Sequence, residues 1–256
     1  MKKWFLGIWL LHLAGGCLFA QGELRQQDRI FYRNEKSIGV SLNSNGFGIS
    51  GRYAKRINAR KKTLWEIDGC NIKHPKEVRI SNSYYNNRSF VYGKQNLLFN
   101  LRGGWGKQNE MFRKVDRGGI SIRRYFTVGP TIGLLKPIYY EVFKAGNGME
   151  YFLAEEKFDP AIHAGYIYGR ASFFKGINEI SIMPGIYGRF GLSFEYSKSD
   201  IHIHAIETGV SLDLFPKEMK IMATEDNSFY FLTLFVSYRF GKVVDAKGIV
   251  DESDLY

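Results

Sequence analysis

Apolar and polar residues alternate with a period of two through most of this chain. The clearest run extends from Glu179 to Tyr196. Ile180, Ile182, Ile186, Phe190, Leu192, Phe194 and Tyr196 share one parity, while Glu179, Ser181, Gly185, Arg189, Gly191, Ser193 and Glu195 share the other. Successive side chains on a strand point to opposite faces, so this spacing predicts a strand with one greasy face and one charged, glycine-bearing face. Tyr230 to Phe240 repeats the pattern, with Thr233, Ser237, Arg239 and Gly241 on the polar side. From Ile206 to Leu214 the polar side carries Glu207, Gly209, Ser211 and Asp213. Ile201 and Ile203 hold the opposite parity, which predicts a bulge near Ala205. Ile120 to Tyr140 reads as one long strand with Ser121, Arg123, Thr127, Gly129, Thr131, Gly133 and Glu141 on its polar side. Arg124 and Lys136 are out of phase with it.

Four shorter segments precede these. Ile38, Val40 and Leu42 alternate with Ser37, Gly39, Ser41 and Asn43, and Ser44-Asn45-Gly46 is a turn signal. Phe47, Ile49 and Tyr53 then alternate with Gly48, Ser50 and Arg52. Trp65 and Ile67 oppose Glu66 and Asp68, and Leu97, Phe99, Leu101 and Trp105 oppose Asn96, Asn100, Arg102 and Gly104. The total is eight strands, an even number, as a single-chain barrel of the bacterial outer membrane requires. Connections at 73–89, 142–178 and 215–227 are long, and those at 57–62, 112–118 and 198–200 are short. Only the tight turn at Ser44 breaks the asymmetry of long outer loops and short periplasmic turns.

A soluble sandwich would also alternate. Three features favour a closed transmembrane barrel instead. Arg52, Glu66, Asp68, Arg102, Arg123, Arg189, Glu195, Glu207, Asp213 and Arg239 put both signs of charge in mid-strand, where a narrow lumen would let them pair. Glycine is frequent on that same face, which suits the limited room inside about eight strands. Aromatics such as Tyr139, Tyr140, Phe194, Tyr196, Phe215, Tyr230, Tyr238 and Phe240 mark strand ends, where amphipathic rings favour a water–lipid boundary. The fold class expected is therefore all-β, an antiparallel up-and-down transmembrane barrel spanning residues 36–242.

The N-terminus adds an export signal. Lys2 and Lys3 precede the apolar Trp4–Leu13 stretch and small residues ending at Ala20, a signal-peptide pattern over residues 1–20 with cleavage before Gln21. Cys17 after Gly15-Gly16 leaves lipid attachment as a second reading. Residues 21–35 form a lead-in, and 243–256, with Asp245, Asp251, Glu252 and Asp254, an acidic periplasmic tail. Removing Lys2 and Lys3 from the 36 basic residues leaves 34 against 25 acidic ones, a net charge of +9. Anionic lipid headgroups are the expected counter-charge rather than nucleic acid, which an exported protein seldom meets. Cys70 alone remains after cleavage, so no internal disulfide can form.

Phe90–Gln108, Gly119–Tyr140, Ile167–Phe194 and Phe229–Lys242 together resemble the outer-membrane β-barrel proteins common in Bacteroidota. The resemblance implies outer-membrane location and architecture, with no assigned activity. Tyr238-Arg239-Phe240 is similar to the aromatic-terminated last strand that barrel assembly machinery recognises, although here Gly241–Tyr256 follow.

Signals for chemistry are weak by comparison. Gly46-Phe47-Gly48-Ile49-Ser50-Gly51 matches a dinucleotide fingerprint but lacks the strand-to-helix setting that string needs. His202 and His204 share a strand face without an evident third metal ligand. His163 lies beside Asp159 with Ser172 nearby, yet no nucleophile elbow accompanies them. The expectation is a barrel without cofactor or metal, not an enzyme, with a structural or surface-interaction role. Its expected contacts are outer-membrane lipid and lipopolysaccharide, the assembly machinery, and an envelope or extracellular protein met through aromatic loops. A narrow solute pore and a lipid-modifying hydrolase stand as the alternatives.

Overall fold

The computed structural model describes residues 34–81, 89–116, 118–145, 151–159, 167–198 and 201–244. The export signal, Cys17, His163 and the tail beyond Val244 lie outside the described residues. In chain order the strands are β1 (Asn34–Asn43), β2 (Gly46–Arg56), β3 (Lys61–Ile72), β4 (Arg79–Ser81), β5 (Ser89–Val91), β6 (Asn96–Phe112), β7 (Ser121–Pro137), β8 (Tyr139–Ala145), β9 (Tyr151–Lys157), β10 (Ile167–Arg170), β11 (Ser181–Glu195), β12 (His202–Leu214) and β13 (Tyr230–Val244). Eight of them close an antiparallel barrel in the order β1-β2-β3-β6-β7-β11-β12-β13, with β13 returning to β1. The seam runs from Asn34 opposite Val244 to Asn43 opposite Phe235. It therefore extends two residues beyond each expected limit of the barrel. Closure pairs both edges of every barrel strand, which hydrocarbon demands of backbone amides.

The period-two pattern becomes a wall that is apolar outside and polar inside. On β3, Ile67 is 74% exposed while its neighbour Asp68 is 1% exposed. Water would penalise such a row of bare aliphatic side chains, and lipid would not. Two local expectations are corrected. Register runs without a shift from His202 opposite Lys242 to Leu214 opposite Tyr230, so there is no bulge near Ala205. Ile203 and Ala205 are buried on the same inward face as Glu207. The long run Ile120–Tyr140 divides in two. Strand β7 ends at Pro137, and Tyr139 and Tyr140 belong to β8. Arg124 and Lys136 sit on regular strand all the same, since β7 stays in register with β11 from Ser121 to Leu135. Arg124 faces out at the short-turn end, and Lys136 is folded under a loop, its Nζ donating to the Lys175 carbonyl at 2.8 Å.

The long connections are structured. Strands β10, β8 and β9 form a separate three-stranded sheet, and β4 pairs with β5 as a hairpin. Phe90, Ile138, Tyr140, Val142, Phe158 and Ile167 make a core between these pieces. Tyr140 was expected at a lipid boundary; instead it is buried here, with its hydroxyl 2.8 Å from the Val91 and Lys94 carbonyls. The β12–β13 connection turns inward. Phe215, Met219, Ile221 and Met222 pack on Cys70, Ile72, Leu98, Leu135 and Phe231 and stop the long-loop end of the lumen. Phe215 is thus part of this stopper and not of an aromatic girdle. Asn227 clamps the turn by accepting from the Ile221 and Met222 amides at 2.8 and 3.0 Å and donating to the Met222 carbonyl at 2.9 Å.

Candidate functional site: the charged lumen

Inward positions two apart on each strand stack into layers, so one barrel level gathers side chains far apart in sequence. Eight of the ten mid-strand charges form a single alternating chain across the lumen. Asp213 meets Arg102 at 2.5 Å, and Arg102 meets Asp68 at 2.9 Å. Asp68 meets Arg189 at 3.0 Å, and Arg189 also pairs with Glu66. Glu66 and Glu207 both bind Arg52 at 2.6 Å, and Glu207 reaches Arg239 at 3.1 Å. These four guanidinium groups and four carboxylates balance in charge, and no side chain among them exceeds 4% exposure. Arg102 grips Asp213 with two nitrogens, Nε and Nη2, the bidentate geometry that favours arginine over lysine in such pairs. Arg239 is held to Glu207 by charge without hydrogen-bond alignment; its Nη2 donates to the Ser50 hydroxyl at 3.0 Å.

Arg123 and Glu195, the other two expected residues, are not in this chain. They pair with each other nearer the short turns, in a second cluster with Glu35, Lys62 and Lys114. Lys114 lies in the β6–β7 turn and donates to Glu195 at 2.9 Å and to the Ser197 carbonyl at 2.7 Å, tying two short connections together. A cavity of about 20 Å³ lies beside this cluster, space for about one water molecule.

Three aromatic residues in the lumen belong to the same site. The Arg52 guanidinium lies 4.3 Å over the Tyr125 ring, and Arg189 lies 4.9 Å over Phe235. Tyr125 also donates its hydroxyl to Glu207 at 3.1 Å. Arg102 stands 5.7 Å over Tyr187. Glycine makes room for these rings: a Cβ at Gly104 would fall 2.0 Å from the Tyr187 hydroxyl, and one at Gly191 would fall 2.8 Å from the Tyr125 ring. Parity alone marks all three, because Tyr125 follows Arg123, Tyr187 precedes Arg189, and Phe235 precedes Ser237 on inward positions. A reading that looks only for charge on the polar face passes over them.

The remaining motifs sit elsewhere. Gly46–Gly51 lies on β2 with strand after it. His202 and His204 face outward, and His204 Nδ1 lies 2.9 Å from the Tyr238 hydroxyl between the rings of Tyr196 and Tyr238. Among the described residues no group of three or more His, Cys, Asp or Glu is placed to hold a metal. The lumen offers fixed, mutually neutralised charge. Each of the four carboxylates in the chain is engaged by at least one guanidinium group.

No family model matches the chain, and no curated protein matches it. Solved outer-membrane barrels do. Ail, the attachment invasion locus protein of Yersinia pestis, is 9% identical over 83% of this chain and 98% of its own, with a TM-score of 0.41. Neisserial surface protein A is 8% identical over 82% and 96%, with a TM-score of 0.37. The N-terminal β-barrel domain of OprF from Pseudomonas aeruginosa is 6% identical over 83% and 97%, with a TM-score of 0.35. Likeness at this level carries no functional information.

Proposed function

We propose that this chain is a sealed outer-membrane barrel that anchors a folded loop sheet at the cell surface, where that sheet contacts a partner. The observation that carries this reading is the division of the molecule. The wall and its charged lumen close on themselves, while the long connections build a second sheet with its own core. Exposed Tyr151, Phe152, Leu153, Phe173 and Phe174 stand on or beside that sheet. Aromatic residues of this kind are enriched in protein contacts. Outer-membrane residence is supported by the apolar outer wall and the long-loop, short-turn asymmetry. The Bacteroidota-type resemblance rests on the sequence stretches alone.

The pore alternative has less support. A conducting lumen needs a continuous wet path, and here the alternating ion-pair chain and the stopper fill successive levels. The hydrolase alternative has no converging nucleophile and base among the described residues. Membrane fractionation with boiled and unboiled gel samples tests the anchor reading. Recovery in the outer-membrane fraction with a heat-dependent mobility shift supports it; recovery as soluble periplasmic protein overturns it. Replacing Tyr151, Phe152, Phe173 and Phe174 together by serine should leave that shift intact and abolish loop-dependent adhesion of cells.

A further inference from the structure

The outer wall is not uniformly apolar. At the short-turn end, Lys36, Lys55, Lys107, Arg124 and Lys242 all point outward and are exposed. None of the five makes an ion pair with an acid among the described residues. The acids at that level, Glu35, Glu110 and Glu195, turn inward and are engaged there. Lys36 and Lys242 are moreover direct partners across the β1–β13 seam. Like charges directly opposite each other on one sheet face destabilise the pair unless an anion lies between them.

Beside this pair the wall is notched. Gly51 and Gly103 flank Ile67 in register across β2, β3 and β6. A Cβ at either glycine would meet no atom within 4 Å. These missing side chains open a groove of about 1200 Å³ that Trp65 and Trp105 also line, with Lys36 and Lys242 at its edge. Small-molecule pockets are concave and run to about 300–1,000 Å³. This one is larger, open along its length and set in a lipid-facing wall, so it fits an elongated apolar occupant with a negative head.

We propose that this groove binds one phospholipid with an anionic headgroup. Its phosphate lies between Lys36 and Lys242, and one acyl chain runs over Gly51 and Gly103. The Trp65–Trp105 pair, opposite each other in register, lies against that chain. The proposal rests on the membrane-barrel reading above. With the long loops outward, the site falls in the periplasmic leaflet, which is phospholipid, rather than in the lipopolysaccharide leaflet.

Native mass spectrometry of the full chain in neutral detergent tests it. The probes are phosphatidylglycerol, phosphatidylethanolamine with the same acyl chains, and inorganic phosphate. The wild-type chain should retain one phosphatidylglycerol at roughly tenfold lower lipid concentration than phosphatidylethanolamine, as expected for two lysines beside a headgroup whose phosphate charge is not offset by an ammonium of its own. Inorganic phosphate alone should give no adduct. Lys36→Gln with Lys242→Gln should remove the preference, and Gly51→Leu with Gly103→Leu should weaken retention of both lipids by filling the notch. Equal retention of the two lipids by the wild-type chain overturns the proposal. So do an unchanged preference in the lysine variant, a phosphate adduct as persistent as the lipid one, or a lipid-free dimer. A chain ending at Val244 distinguishes the acidic tail as occupant: a preference that emerges only after truncation contradicts a lipid site in the intact protein. Each variant is run boiled and unboiled. A normal heat-dependent shift with no lipid preference counts against this site alone, whereas a wild-type chain with no shift counts against the barrel itself.

Discussion

Four residues apart on the inward face of β6, Arg102 and Leu98 fill the lumen by different means. Arg102 lies among ionised partners, and Leu98 lies among carbon and sulfur in the stopper; both are fully buried. Strand β3 makes the same passage from Glu66 and Asp68 to Cys70 and Ile72. The apolar level tolerates changes of shape at the cost of a cavity. The charged level has no such latitude, because every ion there depends on neighbours from other strands. Arg52 and Arg102 are each shared by acids from β3 and β12. A buried ion that loses its partner keeps its desolvation cost and loses the attraction that offset it.

That contrast can be broken at graded points, read from the midpoint of the heat-dependent mobility shift or from urea unfolding in detergent. Arg102→Leu should have the largest effect. It leaves Asp213 buried without a cation and Asp68 with Arg189 alone, and is expected to destabilise the barrel by about 3–5 kcal/mol. Ile221→Ala or Met219→Ala in the stopper should cost about 2–4 kcal/mol through the cavity left behind, with less effect where the 215–229 connection can settle inward. Asn227→Ala, which takes the acceptor from the Ile221 and Met222 amides and the donor from the Met222 and Glu225 carbonyls, should cost about 1–3 kcal/mol. Smallest of all, Lys175→Ala removes an exposed pair with Glu155 on the loop sheet, and the midpoint should not move measurably. A Lys175 variant as damaging as the Arg102 one would erase the distinction between lumen and surface.

Much of the barrel is legible because its physics is local. Alternation assigns each residue a face, so Ile67 and Asp68 declare opposite sides of the wall without any knowledge of their neighbours. All ten mid-strand charges carry that signal. Which charge meets which does not, since Arg102 and Asp213 are 111 positions apart and meet only because closure brings β6 and β12 to one level. The same limit separates Arg123 and Glu195 from the other eight. Tyr125, Tyr187 and Phe235 are hidden for another reason: an aromatic ring on a polar face reads as an exception until the guanidinium over it is seen. The loop sheet is the least legible part. Its strand β10 and the neighbouring hairpin strands β4 and β5 span three or four residues each, too short for alternation to register. Ile138 and Tyr140 continue the apolar parity of β7 across the break after Pro137.

Planar-bilayer recording of the purified wild-type chain bears most directly on the central claim that the charged lumen is a closed structural core. With the ion-pair chain and the stopper in place, the bilayer should show no stepwise conductance across the usual voltage range. Stable open levels from folded, heat-modifiable protein would contradict the account.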